Sequence, residues 1–509
     1  MKKIINTLRS RFFISSFLIV LEVIEIIVFV QFLSHYFFLL WILAYITSFV
    51  AFISVVNMKS NPDYKIPWIS IILAVPPYGA LFFGMFYKVQ FSKKEEKFLI
   101  KTEARLIAKH KRVFLPEELS NDRRAYNLAR ALSVESRCEV YGNTDSEYFP
   151  LGDDFFPRYL EDLKKAERYI FMEYFIIEAG LMWDAILDIL KKKAESGVEV
   201  RLIYDDIGCM KTVPEKYYAE LNRMDIHTIP FAKLRPKASS RYNNRTHRKI
   251  TVIDGVVGYT GGINIADEYI NAKTRFGHWK DSAVRLEGEA VRALCNLFLF
   301  NWDLAHLTTT SHSLYLPEKQ TVPPKGEGYY IPFGAGPSSI YATPVAKNMY
   351  LNLINSAVDY VYITTPYLII DYELTNAILN GARRGVDIRI ITPHIPDKKL
   401  VFLMTRSSYE QFLEAGVRIY EYTPGFIHAK NLICDDLFAV CGTINLDYRS
   451  LAHHFENAVW MYKTGTLVNM KEDFLKTMEM SIEYSIGQTR MNPIEKILKF
   501  GLKLFAPML

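Results

Sequence analysis

Two stretches of the chain, HRKITVID at 247–254 and HAKNLICD at 428–435, carry His, Lys and Asp at the same three offsets, and matched GxxN elements follow them, GGIN at 261–264 and GTIN at 442–445. One HxKxxxxD is weak evidence, because a solvated strand of mixed charge produces it by accident. Two copies with matched downstream elements point to an internal duplication, which restricts the fold to two similar halves. The surrounding sequence repeats as well. FMEYFII (171–177), AILDILKKKAESG (185–197) and VEVRLIYDD (198–206) read as strand, helix and strand; VYITTPYLI (361–369), ELTNAILNGARRG (373–385) and VDIRIITP (386–393) replay that order. The alternation predicts an α/β fold with a first repeat at 110–308, a polar Pro/Gly-rich linker at 309–328 and a second repeat at 329–490. Two halves related by a pseudo-twofold axis can point equivalent edges at one shared cleft, so both copies are expected to form one catalytic unit.

On extended chain, residues two apart face the same way, so His247 projects with Lys249 and His428 with Lys430, while Arg248 points to the opposite face. Two Lys, two imidazoles and the amides of Asn264 and Asn445 make a cationic, donor-rich pocket suited to a phosphate whose charge is redistributed during an in-line displacement. One imidazole can attack phosphorus, and the other can protonate the leaving alkoxide and then deprotonate an incoming alcohol. Each imidazole needs an acceptor to fix its tautomer. Asp281 in GHWKDSAV and Glu456 in HHFENAV, each downstream of the His in its own copy, are the candidates. Asp254 and Asp435 belong to the motif but close its strand, where an Asp before a turn binds backbone, so a structural role is expected for them. Metal is the rival reading of two His near carboxylates; the neighbouring Lys repel a cation and no HxH or HExxH spacing occurs, so neither a metal nor any other cofactor is expected.

The first ninety residues are different in kind. Residues 12–32 and 36–56 are each long and apolar enough to cross a bilayer, and the first carries Glu22 and Glu25, which are expected to face protein or the interface. A cleaved signal peptide fits less well, because the apolar run is too long and a second follows at once. A third segment, 66–86, is interrupted by Pro76 and Pro77 and either crosses kinked or dips in and returns. Lys2, Lys3, Arg9 and Arg11 precede the first span and Lys88, Lys93, Lys94 and Lys97 follow the third segment, in a charged connector at 88–109. Putting both groups in the cytoplasm favours two spans plus a re-entrant segment, hence a multi-pass cell-membrane protein with a cytoplasmic-facing catalytic domain. The tail at 491–509 places Ile494, Ile497, Leu498, Leu504 and Phe505 on one helical face beside Lys496, Lys499 and Lys503; an interfacial helix and a helix packed on the protein's own core fit equally.

Bulk properties set the remaining limits. A net charge of +6 over 509 residues carries no nucleic-acid signature, and no extended basic and aromatic platform stands out, so the expected partners are anionic membrane lipids rather than nucleic acid. The odd count of five Cys without a CxxC pair reads as reduced thiols. Oligomeric state is not legible.

The paired HxKxxxxD and GxxN elements resemble those of the phospholipase D superfamily. NPDYKIPW and PPYG, EYFII, YDDIG, NNRTHRKITVIDG, WKDSAVRLEG, AGPSS (335–339), TTPYLI, TPHIPDK, YEYTPGFIHAK and LDYRS extend the resemblance, over nearly the whole chain, to bacterial cardiolipin synthases. The resemblance implies two phospholipase D-like repeats and transfer of a phosphatidyl group from one phosphatidylglycerol to the terminal hydroxyl of another, releasing glycerol with neither nucleotide nor metal. It also implies His247 as nucleophile and His428 as acid and base, although the two copies are nearly symmetric. The same pocket could hydrolyse phospholipid or serve another alcohol, and a non-catalytic membrane scaffold is the alternative from a different class. One departure is GGIN and GTIN where GSxN is common in the superfamily, so Gly262 and Thr443 stay outside the candidate site. Tyr367, Arg406 and Tyr409 are further candidates for headgroup contact by pattern alone.

Overall fold

The computed structural model describes residues 11–32, 37–87, 93–109, 115–233, 244–316, 326–489 and 493–508. The basic residues Lys2, Lys3, Arg9 and Lys88, and linker residues 317–325, lie outside them. The described residues fall into two compact units, one holding the N-terminal helices and the chain from 500, the other holding both repeats.

The first repeat supplies β1 (Thr144–Phe149), β2 (Tyr169–Tyr174), β3 (Glu199–Asp205) and β4 (Ile226–Phe231). It continues with β5 (Ile250–Ile253), β6 (Val257–Gly261), β7 (His278–Lys280) and β8 (Ala283–Gly288). The second supplies β9 (Tyr329–Ala335), β10 (Tyr360–Thr364), β11 (Leu368–Ile369), β12 (Asp387–Pro393) and β13 (Arg418–Tyr422). After these come β14 (Gly425–Ile427), β15 (Asn431–Cys434), β16 (Phe438–Gly442), β17 (Leu446–Asp447), β18 (Glu456–Tyr462) and β19 (Ser481–Tyr484). The first sheet runs β4-β3-β2-β5-β6-β8-β1, and the second runs β13-β12-β10-β15-β16-β18-β9 with β19 added beyond β13. Strand for strand the two orders are the same, so the duplication read in the sequence is a duplication of topology. In each sheet the strand–helix–strand unit pairs in parallel, β2 with β3 and β10 with β12, and the motif strand then joins antiparallel, β5 against β2 and β15 against β10.

Residues 169–174 are all buried, as befits a central strand covered on both faces. Helix Leu181–Glu195 between β2 and β3 and helix Tyr372–Arg383 between β10 and β12 match the expected positions, each burying an apolar stripe that includes Ile186 and Leu190 in the first and Leu374 and Ile378 in the second. One expectation changes. Helix Arg123–Ser136, assigned by chain position to the first repeat, packs on β9 and helix Val345–Ser356 of the second. Its Ala125, Leu128, Ala129 and Leu132 follow helical spacing and join the second repeat's core, where they meet the apolar face of that helix. The charged connector is helical from Lys93 to Lys109, since its Lys, Glu, Leu and Ala are good helix formers.

In the N-terminal unit, helices span Arg11–Phe32 and Phe37–Val56, and among the described residues one helix, Phe38–Val56, is long and apolar enough to cross a membrane. The third segment breaks into helices Pro62–Ala74 and Tyr78–Phe86 at the Pro76–Pro77 pair, which removes two backbone donors. Both pieces pack on helix Phe37–Val56, with Val55, Ile72 and Phe83 buried together and Trp68 edge-on to Phe83. Gly79 permits the sharp reversal: a Cβ there would lie 2.3 Å from the Ile71 carbonyl oxygen. Glu25 accepts a hydrogen bond from the Tyr78 hydroxyl at 2.5 Å, so it faces a protein partner. The tail forms helix Pro493–Phe505, and the turn Ala506–Met508 packs against helix Pro62–Ala74. The side chains of Ile494, Lys496, Ile497 and Leu498 lie outside the described set.

Candidate active site

His247 and Lys249 sit on extended chain just ahead of β5, and His428 and Lys430 just ahead of β15; these short segments leave their own sheets and pair with the other repeat. Thr246 bridges Phe455 in parallel, and β14 pairs in parallel with β7, Ile427 opposite Lys280. The His247 N–H donates to the Phe455 carbonyl at 2.8 Å, and the His428 N–H donates to the Lys280 carbonyl at 2.7 Å. The next residue in each partner strand is the expected acid. His247 Nδ1 is therefore 2.9 Å from Glu456 Oε2, and His428 Nδ1 is 2.6 Å from Asp281 Oδ2. The expected pairing within each copy is corrected: each imidazole contacts the candidate acid of the other repeat. The reason is the reciprocal backbone pairing, which lays each acid beside the far motif.

Both imidazoles are more than nine-tenths buried. Burial drives His247 down to about 3 against the pull of Glu456, and burial with the Lys430 charge drives His428 down to about 4. Burial opposes ionisation of Glu456 and Asp281 too, yet the facing imidazoles hold both carboxyls below their usual range. The pairs are thus neutral imidazole and carboxylate, with the Nδ1 proton on the acid side and the Nε2 lone pair free. Burial lowers Lys249 to about 7, with the Lys430 charge adding to it, and burial lowers Lys430 to about 8. The charge of each lysine reaches into the other motif, since Lys249 also depresses His428. Each ammonium donates back to the carbonyl two residues earlier, Lys249 to His247 at 2.8 Å and Lys430 to His428.

The other expected residues separate clearly. Asp254 accepts from the N–H groups of Glu167, Arg168 and Tyr169, each at 2.8 Å, and Asp435 accepts from Val358, Asp359 and Tyr360 at 2.7–2.9 Å. Both sit at φ 54° in the left-handed region, and Asp435 also meets Arg124 at 2.6 Å. Their grouping with the catalytic His and Lys is corrected: they clamp the start of β2 and β10, in keeping with the structural role expected from their position. Asn264 is buried and engaged, accepting from the Ile176 N–H at 3.1 Å and donating to the Tyr269 hydroxyl at 2.6 Å. Asn445 Oδ1 is buried with no hydrogen-bond partner. Arg406 is committed to Glu421 by two hydrogen bonds, and Tyr409 is buried in the core with its hydroxyl on Thr392, which removes both from the headgroup candidates. Tyr367 donates to Asp397 at 2.6 Å, and the Asp397 charge acts on Lys430.

The sequence reading missed the ring packing around the imidazoles. Phe175 stands edge-on to His247 and Tyr269 to His428. His454 lies 5.8 Å from His247 and Trp279 5.8 Å from His428, centroid to centroid. His454 and Trp279 each precede an acid by two residues, so aligning HHFE with HWKD was the available signal. The two GxxN elements also differ. Thr443 Oγ1 donates to Glu456 Oε2, whereas Gly262 lies so near Asp281 that a Cβ there would be 2.0 Å from Oδ1. Asp281 takes the Ser282 N–H instead, at 2.8 Å.

A family described as "Cardiolipin synthase, PLD-like domain" matches residues 159–276 and 350–478, one segment in each repeat. A cardiolipin synthase of Alkalihalophilus pseudofirmus is 32% identical over 472 residues, covering 90% of this chain and 92% of that one. The chain belongs to the cardiolipin synthase family. It is also 42% identical to an uncharacterised protein of Streptococcus mutans, over 89% of this chain and 98% of the other. The crystal structure of a phosphatidylserine synthase from Haemophilus influenzae shares the fold, with a TM-score of 0.57 at 15% identity over 75% of this chain and 97% of that one. As a member of the cardiolipin synthase family the chain is a phosphatidyltransferase. Its geometry suits that chemistry, because two oriented imidazoles with free Nε2 lone pairs can divide nucleophilic attack and proton transfer between them. The site also brings His247, His454 and Glu456 ligand atoms within 4.8 Å of one another.

Proposed function

We propose that the protein makes cardiolipin and glycerol from two molecules of phosphatidylglycerol through a phosphohistidine at His247. The observation that supports this reading is the crossed pairing of His247 with Glu456 and His428 with Asp281, which holds each imidazole through Nδ1 by a carboxylate of the other repeat. Lys249, Lys430 and the Asn445 amide bind the non-bridging oxygens of the donor phosphodiester. His247 Nε2 attacks phosphorus, the P–O bond to the headgroup glycerol breaks, and His428, protonated as the phosphodiester anion enters, gives its proton to the leaving oxygen. Glu456 stabilises the positive charge that the attack leaves on the His247 ring. The terminal hydroxyl of a second phosphatidylglycerol then gives its proton to His428 and attacks the phosphohistidine, which frees His247.

Membrane anchoring bears on the product, because a cleft supplied from the bilayer meets lipid hydroxyl at high local concentration and little water. In this reading helix Phe38–Val56 crosses the membrane with helix Arg11–Phe32 beside it, and the broken third segment returns to the cytoplasmic face with the catalytic unit. Thiol labelling near residue 95 in sealed vesicles tests that orientation, and external reactivity would reject it.

Incubation of the purified protein with phosphatidylglycerol alone tests the reaction. Cardiolipin with glycerol supports the proposal; phosphatidic acid with glycerol would make the protein a hydrolase. His247→Ala and His428→Ala should each abolish turnover, and a trapped phosphohistidine at 428 alone would reverse the assigned roles.

A further inference from the structure

His454 is partly buried beside the nucleophile, yet no step of the transfer uses it. Its Nδ1 faces Glu456 Oε1 across 3.7 Å, and both atoms are buried without a hydrogen-bond partner. That separation is too long for a hydrogen bond, and too short for a bridging water, whose two partners stand roughly 4.4 Å or more apart. It is close to the spacing of two ligand atoms on one zinc-like ion: bonds of about 2.0–2.1 Å at tetrahedral to trigonal angles put neighbouring ligands roughly 3.3–3.6 Å apart. His247 completes the set, with Nδ1 2.9 Å from the other oxygen of the same carboxylate.

We propose that His247, His454 and Glu456 form an inhibitory site for a divalent transition-metal ion with the ligand preference of zinc. Two imidazole nitrogens and one carboxylate oxygen are a common zinc donor set, and here they converge from both repeats, which is why no HxH spacing marks them in the sequence. Binding silences the nucleophile whichever nitrogen of His247 is taken. An ion on Nδ1 displaces the proton there, and a neutral ring must then carry its proton on Nε2, so the attacking lone pair is gone. An ion on Nε2 occupies that lone pair directly. The charges of Lys249 and Lys430 oppose a cation, so the site is expected to bind far more weakly than a structural zinc centre.

The other half of the molecule supplies an internal control. Trp279 takes the place of His454, two residues before its acid and at the same 5.8 Å centroid distance from its imidazole, and an indole offers an N–H donor but no ligand lone pair. Only the His247 side can therefore be closed by a metal ion.

The proposal uses the assignment of His247 as nucleophile, so its test has one readout that depends on turnover and one that does not. With untagged full-length protein and phosphatidylglycerol vesicles, added Zn2+ at about 0.1 mM should lower the rate at least about tenfold, with recovery on EDTA. In His454→Asn and His454→Trp the half-inhibiting Zn2+ concentration should rise at least about tenfold, each variant being compared with its own metal-free rate and checked for folding by its melting curve. Separately, Co2+ added to wild-type protein should give the visible absorption of a low-coordinate imidazole site. That absorption should be retained in His428→Ala and lost in both His454 variants. Equal Zn2+ sensitivity of wild type and folded His454 variants, or Co2+ absorption that ignores residue 454, overturns the proposal. If phosphatidylglycerol yields no cardiolipin, the Co2+ spectra alone decide the metal site.

Discussion

Glu456 Oε2 lies 2.9 Å from Nδ1 of His247, although the two residues belong to different repeats. The reciprocal pair, Asp281 with His428, makes each half dependent on the other for the tautomer of its imidazole. This gives the duplication a physical purpose, since neither repeat alone supplies both an imidazole and the carboxylate that holds it.

Removing the negative charge across the seam should therefore disable the far motif. Glu456→Gln is expected to lower kcat by about 10²–10⁴-fold, as loss of an imidazole-orienting carboxylate does elsewhere, with little change in KM. Phosphohistidine at residue 247 should fall in parallel, although the substitution is in the second repeat. A rate within about twofold of wild type would remove the crossed pair from the mechanism.

The motif aspartates should behave as structural parts. Asp254→Ala and Asp435→Ala each strand three backbone N–H groups, at a cost of about 1–3 kcal/mol for a clamp of this kind. Asp435 should cost more, because it is 8% exposed and its loss also leaves Arg124 without its 2.6 Å partner. The check is a denaturation midpoint beside the rate per folded molecule. Stability should drop while that rate stays within a few-fold, the reverse of the pattern expected for Glu456→Gln.

Much of this was legible because it depended on local pattern. The doubled motif, the α/β alternation and the Pro76–Pro77 break each rest on residues near one another in the chain, and the sheets carry the same strand order as a consequence. What escaped depended on contacts between distant segments. Asp281 and Glu456 were identifiable as acids downstream of each motif, but their exchange rests on the pairing of β7 with β14 and of Thr246 with Phe455, for which one sequence holds no register signal. The helix Arg123–Ser136 was misassigned for the same reason: its amphipathic stripe reveals that it packs, and not on which repeat. Arg406 looked available until Glu421, a strand away, took both arms of its guanidinium.

Lys249 and Lys430 predict opposed pH trends for rate and stability. With Lys249 lowered to about 7 and Lys430 to about 8, chiefly by burial, the site loses phosphate-binding charge as pH rises through that range, so kcat/KM should fall on an alkaline limb there. Lys249→Arg, whose guanidinium stays charged, should move the limb upward even if the rate is lower. Stability goes the other way. Between pH about 7 and the ordinary lysine value of about 10.4 the unfolded chain binds a proton that folded Lys249 does not, so its contribution to stability rises with pH across that window. Lys249→Met should accordingly melt above wild type near pH 7, with the gap closing towards pH 10. A gap that widens with pH would contradict the burial of a depressed lysine.

Gly262 should be intolerant of any side chain for a reason specific to the first repeat. The second repeat has Thr443 at the matching position, donating to Glu456, so Gly262→Thr would superficially restore symmetry. Space forbids it: a Cβ at 262 would stand 2.0 Å from Asp281 Oδ1 and 2.7 Å from its Cγ. Asp281 is fully buried and fixed by the Ser282 N–H, so the carboxylate must swing off His428 Nδ1 rather than slide aside. Gly262→Ala should then reproduce the kinetic defect of Asp281→Asn, a loss of at least about tenfold in kcat, and combining the two should add little because both act through one contact. The mirror change, Thr443→Gly, removes a hydroxyl without crowding the acid and should cost less. If Gly262→Ala kept full activity, the carboxylate would have another way to reach His428, and the tight fit of Gly262 against Asp281 would not matter to catalysis.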